Sequence, residues 1–175
     1  MRSATFARVL LALALVLGVA AGCSRTKQAT TLDTDGTERA IDKVIGSRIE
    51  PDVKEVRCPA DIARGKGRSF SCRALLEGTG GEVRLRVRQV DADGTLDVDL
   101  LDAVVDRKAV ATDLRRQLVK RFLRTFTVDC GTEAISVVAP GSTFTCSAKD
   151  PAGKRTITVT VTDAAGTVSY DIAEK

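Results

Sequence analysis

The sequence predicts an α+β protein of two tandem repeats, each one N-terminal helix packed on a four-stranded antiparallel sheet with one disulfide inside the repeat. Three observations predict it. Gly67-Arg68-Ser69-Phe70-Ser71-Cys72 recurs as Gly141-Ser142-Thr143-Phe144-Thr145-Cys146. Each copy follows an earlier cysteine, Cys58 or Cys130, and precedes strands of strict apolar–polar alternation. Each half also opens with apolar residues at helical spacing, and a helix followed by a run of strands is an α+β pattern.

The N-terminus comes first. Arg2 and Arg8 begin a basic region, followed by the apolar run 9–21, which is too short to span a bilayer and matches a signal-peptide core. It closes on Val19-Ala20-Ala21-Gly22-Cys23, which resembles the lipobox of bacterial lipoproteins, with Ala20 where leucine is commoner. That resemblance implies cleavage after residue 22 and diacylglyceryl modification of Cys23. An ordinary secretory cleavage, leaving Cys23 a free thiol, is the alternative. Residues 23–36 are polar apart from Leu32, so a flexible tether is expected there.

Repeat one is expected over 37–102. Thr37 suits an N-cap, Ala40, Ile41, Val44, Ile45 and Ile49 recur at helical spacing, and Pro51 stops the helix. Strands follow at 53–58, 69–75, 82–90 and 96–100. Between the first two lies a loop carrying Arg64, Lys66 and Arg68. Phe70 and Cys72 share one strand face, so Phe70 is expected in the core beside the disulfide. Outward arginines Arg84, Arg86 and Arg88 stand against Asp97 and Asp99 across the Asp91–Gly94 hairpin turn. Mutual pairing accounts for them at a few tenths to about 1 kcal/mol per pair. Together with the 59–68 loop, these arginines are also the candidate interaction surface.

Repeat two, 103–175, rewrites the same text. Its helix carries Val110, Leu114, Leu118 and Phe122 on one stripe, with Arg115, Arg116, Lys120, Arg121 and Arg124 off it. Such a helix can lie on anionic lipid, although packing against a sheet explains the stripe more simply. The offset between repeats is 72 at the first cysteine, 74 at the second and 72 again at the turn glycines Gly94 and Gly166. The extra residues fall in a loop, where insertions are tolerated.

Units of about 70 residues usually need a staple. Four cysteines outside the N-terminal segment, at 58, 72, 130 and 146, permit three pairings. Repeat symmetry selects Cys58–Cys72 and Cys130–Cys146, and export favours oxidation over four reduced thiols.

The lipobox, the Gly-x-x-Phe-x-Cys element with Gly67, Phe70, Gly141 and Phe144, and the valine-rich hairpins together resemble actinobacterial envelope lipoproteins grouped as domain of unknown function 4333. The resemblance covers roughly 37–100 and 106–172. Cys58-Pro59 keeps that family's Cys-Pro dipeptide, and repeat two departs from it with Gly131 after Cys130. It implies a compartment and a fold, and no reaction. The tandem helix-plus-sheet plan is also similar in architecture to secreted β-lactamase inhibitor proteins, whose sheet face is rich in aromatics, whereas aromatics are 3% here.

Composition narrows function further. The chain has no histidine, which removes Ser-His-Asp and Cys-His catalysis and His-ligated zinc. The cysteine spacings do not suit a zinc site, Gly78-Thr79-Gly80-Gly81 lacks the lysine of a phosphate loop, and no metal or cofactor is expected. Asp97 and Asp99 lie about 7 Å apart on one strand face, where opposing arginines would keep both ionised. Residues 23–102 hold 14 basic and 15 acidic side chains, residues 103–175 hold 11 and 8. Neither is the concentrated basic surface of a nucleic-acid binder. The expected function is a non-enzymatic, membrane-anchored envelope protein that engages another envelope protein or a wall polymer. A carrier of an apolar ligand or lipid, or an inhibitor-like binding protein, is the alternative.

Overall fold

A computed structural model describes residues 30–79 and 81–172. Cys23, the signal segment 1–22 and residues 23–29 of the expected tether lie outside the described residues.

Helix α1 (Thr34–Gly46) starts one residue after Asp33, whose carboxylate accepts from the Gly36 N–H at 3.0 Å. The expected cap Thr37 is instead buried inside the first turn, its hydroxyl donating to the Asp33 carbonyl. A carboxylate at the N-cap satisfies the orphan N–H groups and complements the helix dipole better than a hydroxyl four residues later. The helix also stops at Gly46, ahead of Ile49. Ile41 and Ile45 are fully buried against the sheet.

That sheet is a meander of β1 (Val53–Arg57), β2 (Ser69–Leu76), β3 (Glu82–Gln89) and β4 (Leu96–Leu100), paired antiparallel in chain order. Strand β3 shows why: Val83, Leu85 and Val87 are fully buried, while Glu82, Arg84, Arg86 and Arg88 are exposed. Fully burying each such side chain contributes about 1.5–3 kcal/mol.

The second unit repeats the plan with an addition. After β5 (Ala103–Asp106) comes α2 (Arg107–Phe122), capped by the Asp106 carboxylate, which accepts from Lys108 and Ala109. Strands β6 (Thr127–Asp129), β8 (Thr143–Asp150), β9 (Gly153–Val161) and β10 (Val168–Ile172) form a second sheet in the order β10-β9-β8-β6. Strand β7 (Ile135–Val138) leaves this sheet and pairs antiparallel with β5. The α+β class and the antiparallel sheets are as expected. The layout of one helix on four strands is matched only in part, because this two-stranded ribbon was not anticipated.

The ribbon is apolar on both faces, and each face covers a different core. Ala103, Val105 and Val138 pack with Leu114, Leu118 and Ile157 in the second core, while Val104 and Val137 pack against the first. Period-two alternation thus makes one ribbon the shared wall of two cores.

Residues 30–36, expected to belong to a flexible tether, form part of the first unit. Thr31 bridges Ala63, the Leu32 N–H donates to the Ile62 carbonyl at 2.8 Å, and Leu32 itself is buried. Polar composition hid this because a single apolar residue sufficed once the backbone found a partner.

Candidate interaction surfaces

The repeated signature has a geometric meaning at each position. Gly67 and Gly141 take φ of 79° and 87°, in the left-handed region that favours glycine. In that conformation the Gly67 N–H donates to the Gln89 carbonyl and the Gly141 N–H to the Val161 carbonyl, both at 2.7 Å. Each glycine therefore ties the start of its sheet's second strand to the end of the third. Phe70 pairs in register with Val87 and Phe144 with Val159, both half-buried against their cores. Two residues on, the cysteine closes a disulfide: Cys58–Cys72 in the first unit and Cys130–Cys146 in the second.

What holds the first cysteine differs between units. The Cys58 N–H donates to the Glu38 carboxylate of α1 at 2.8 Å. Around Cys130 the anchor is a cation. Arg107, at the start of α2, donates to the Cys130 carbonyl at 3.1 Å and to the Ser136 hydroxyl at 2.7 Å. Its guanidinium also stacks 4.6 Å from the Phe144 ring centroid.

The arginines of β3 do three different things. Arg88 pairs with Asp97 at 3.2 Å across the hairpin, as anticipated. Arg84 reaches past β4 to Asp102, gripping its carboxylate through two nitrogens at 2.6 and 2.9 Å, and its main-chain N–H donates to the same group. The hydrogen bonds from the Arg84 side chain hold the Asp102 carboxyl below the usual aspartate value, overriding the burial that would raise it. Arg86 stands opposite Asp99, and its side chain makes no hydrogen bond or ion pair among the described residues. In the 59–68 loop, Lys66 and Arg68 are exposed, whereas Arg64 is half-buried with its Nε unpartnered. Of the six candidate surface residues, Arg86, Lys66 and Arg68 thus remain available to a partner.

The equivalent outer face of the second sheet carries hydroxyls. In register, Thr143 stands opposite Thr160, Thr145 opposite Thr158 and Ser147 opposite Thr156.

Residues that sequence reasoning missed sit where loops and helices meet the sheets within each unit. Gln89 is fully buried, accepting from the Gly65 N–H at 2.8 Å and donating to the Ala63 carbonyl at 2.9 Å. A polar residue at an inward strand position, after Val83, Leu85 and Val87, was the available signal. Asp150 is buried between Arg124 and Arg155, each at 3.2 Å. Tyr170 donates to Asp113 of α2 at 3.2 Å, and burial, reinforced by that negative charge, pushes its phenol up to about 12.

Two clefts lie where the units meet. One, of 460 Å³, runs between the 78–81 turn and β7, past Arg107 and Glu133. The other, of 300 Å³, is bounded by Arg48, Ile49, Leu100, Val104 and the 164–165 turn. No group of three or more metal-ligating side chains occurs among the described residues.

Fold, staples and duplicated signature together define a tandem-repeat protein whose units are small disulfide-stapled α+β modules. Residues 16–94 and 96–166 each match the family described as Domain of unknown function (DUF4333), and the chain belongs to that family, with two tandem copies. No curated protein and no solved structure matches the chain.

Proposed function

We propose that this chain is an exported lipoprotein of the actinobacterial envelope, anchored to the outer face of the cell membrane through Cys23, and that it works as a binding module rather than an enzyme. One observation carries the module reading. The space between helix and sheet in each unit is taken by the chain's own side chains, with Ile41, Ile45, Leu85 and Val87 in the first and Leu114, Leu118, Ile157 and Val159 in the second fully buried. What each unit offers a partner is therefore its outer sheet face. In the first that face carries Arg86 beside the Lys66–Arg68 loop, and in the second the threonine rows. An envelope protein or a hydroxyl-rich wall polymer fits such surfaces.

A crosslinking pull-down from intact cells tests this reading, comparing the parent, Cys23→Ala and Arg86→Glu/Arg68→Glu chains. The expected result is a defined neighbour captured by the parent and lost in the double variant, with Cys23→Ala released from the membrane fraction by a high-salt wash that leaves the parent bound. Capture of identical neighbours by the parent and the double variant would overturn the assignment of the face. Retention of Cys23→Ala in the membrane fraction after a high-salt wash, which removes purely electrostatic attachment, would overturn the anchor.

The carrier reading has its own observation, the 300 Å³ cleft at the seam with Ile49, Leu100 and Val104 on its walls. Native mass spectrometry of the purified chain separates the two readings, since a carrier retains a bound apolar molecule.

A further inference from the structure

Helix α2 breaks two local rules at one residue. Leu123 caps it with φ 53° and ψ 35°, the left-handed region where a Cβ is unfavourable and glycine is usual. The same side chain is 90% exposed. Val119, one turn earlier, is 40% exposed. Positions where local rules fail are expected to be functional or strained sites.

The surroundings specify the use. Because Val110, Leu114 and Leu118 face the core, the opposite stripe of the helix runs through Arg116, Val119, Lys120 and Leu123, spaced i, i+3, i+4, i+7. All four are exposed. Residues 107–124 carry seven basic side chains and one acidic, Asp113. Helix α1, its counterpart, has Asp35, Glu38 and Asp42 against Arg39 and Lys43 and no exposed leucine at its end. The basic, leucine-tipped helix is therefore particular to the second unit and no requirement of the fold.

We infer that the end of α2 docks on an anionic phospholipid surface, Leu123 and Val119 entering the acyl boundary while Arg116 and Lys120 lie among the headgroup phosphates. An apolar tip flanked by cations on a helix is the arrangement that binds this interface. The tip is two side chains wide, far below the roughly 800 Å² per partner of a stable protein interface, which favours lipid over a second protein. Arg116 is paired with Asp113 at 3.2 Å, an exposed ion pair that phosphate can replace. Arg124 is held by the buried Asp150 and takes no part.

The test is flotation of the chain from residue 23, carrying Cys23→Ser so that no acyl group contributes, with vesicles of phosphatidylcholine alone or containing phosphatidylglycerol. Binding is expected only with phosphatidylglycerol, and it should fall as salt screens the headgroups. Leu123→Gly is the decisive variant: glycine suits the left-handed cap, so its thermal midpoint should equal or exceed the parent's while its vesicle affinity drops about tenfold. Arg116→Glu/Lys120→Glu should lose at least tenfold. Unchanged affinity of Leu123→Gly, equal binding to neutral vesicles, or a Leu123-dependent dimer by light scattering would each overturn the inference. Because the chain is unacylated, none of these outcomes bears on the proposed Cys23 anchor.

Discussion

The two units face the same backbone problem in the loop between their sheet's first and second strands, and they solve it differently. In the first, Gln89 reaches in to hold Gly65 and Ala63, helped by the single Thr31–Ala63 bridge. In the second, Val161 occupies the place of Gln89, and the loop is held by the full β5–β7 ladder from Ala103–Val138 to Asp106–Ile135. The bridge and the ladder are equivalent: Thr31–Ala63 corresponds to Val104–Val137. Buried backbone groups must be paired in either case. A side-chain amide pairs them without adding apolar surface, whereas a ribbon also supplies valines, and here those valines cover the neighbouring core.

The largest test of this comparison breaks the staples. Replacing Cys58 and Cys72, or Cys130 and Cys146, by alanine should cost about 3 kcal/mol in either unit, since loops of 15 and 17 residues, both cysteines counted, differ by only about 0.1 kcal/mol in closure entropy. Denaturant unfolding of the two double variants measures this, and a markedly unequal cost would show that the ribbon, rather than the staple, carries the second loop.

Exchanging the loop devices comes next. Gln89→Val leaves the Gly65 N–H and the Ala63 carbonyl without partners and should cost about 2 kcal/mol. Hydrogen exchange should accelerate at Gly65 while remaining slow across 135–138. The reverse exchange, Val161→Gln, buries an amide where the ribbon has already satisfied the backbone, and should destabilise by a similar amount.

Smaller effects follow pH. The Asp91 carboxylate is held below the usual aspartate value by hydrogen bonds from Thr95, side chain then backbone, and from the main chain of Asp93 and Gly94. Asp163 repeats this with Thr167, Ala165 and Gly166. Since the folded values lie below the unfolded one, their contribution is present above about pH 4 and fades as pH falls through the folded values. Asp91→Ala and Asp163→Ala should each flatten the acid limb of stability equally, because both turns are built alike. Least in size is an effect confined to one unit. Tyr170, the only tyrosine, has a folded value raised to about 12, so its contribution is complete below about pH 10 and is lost as pH climbs toward 12. Tyrosinate absorbance reads this directly, and Asp113→Asn should move the midpoint down.

Much of the architecture was legible because it follows from periodicity. The alternation Val83–Leu85–Val87 and Ile157–Val159–Val161 marks inward faces by itself, and the duplicated cysteines indicate the staples. What escaped were short elements whose stability is entirely tertiary. Ile135-Ser136-Val137-Val138 reads as an apolar patch in a loop, and Ala103-Val104-Val105 reads as the run-in to a helix. Neither alternates, because a strand buried on both faces has no polar side to show. Leu32 escaped for a related reason, since its partner Ile62 lies 30 positions away in the 59–68 loop. Of the surface, the arginine stripe was readable, but that Arg84 would serve Asp102 and leave Arg86 unpaired depends on where the chain goes after β4.

Between Leu100 and Ala103 only two residues connect the units, and both are engaged: the Leu101 N–H donates to the Arg84 carbonyl, and Asp102 is clasped by the Arg84 side chain. A protease looking for slack between domains would find no exposed hinge to thread into its active site. The pair of modules should therefore travel, turn over and be degraded as one object, with the first nicks falling in peripheral turns rather than at the junction.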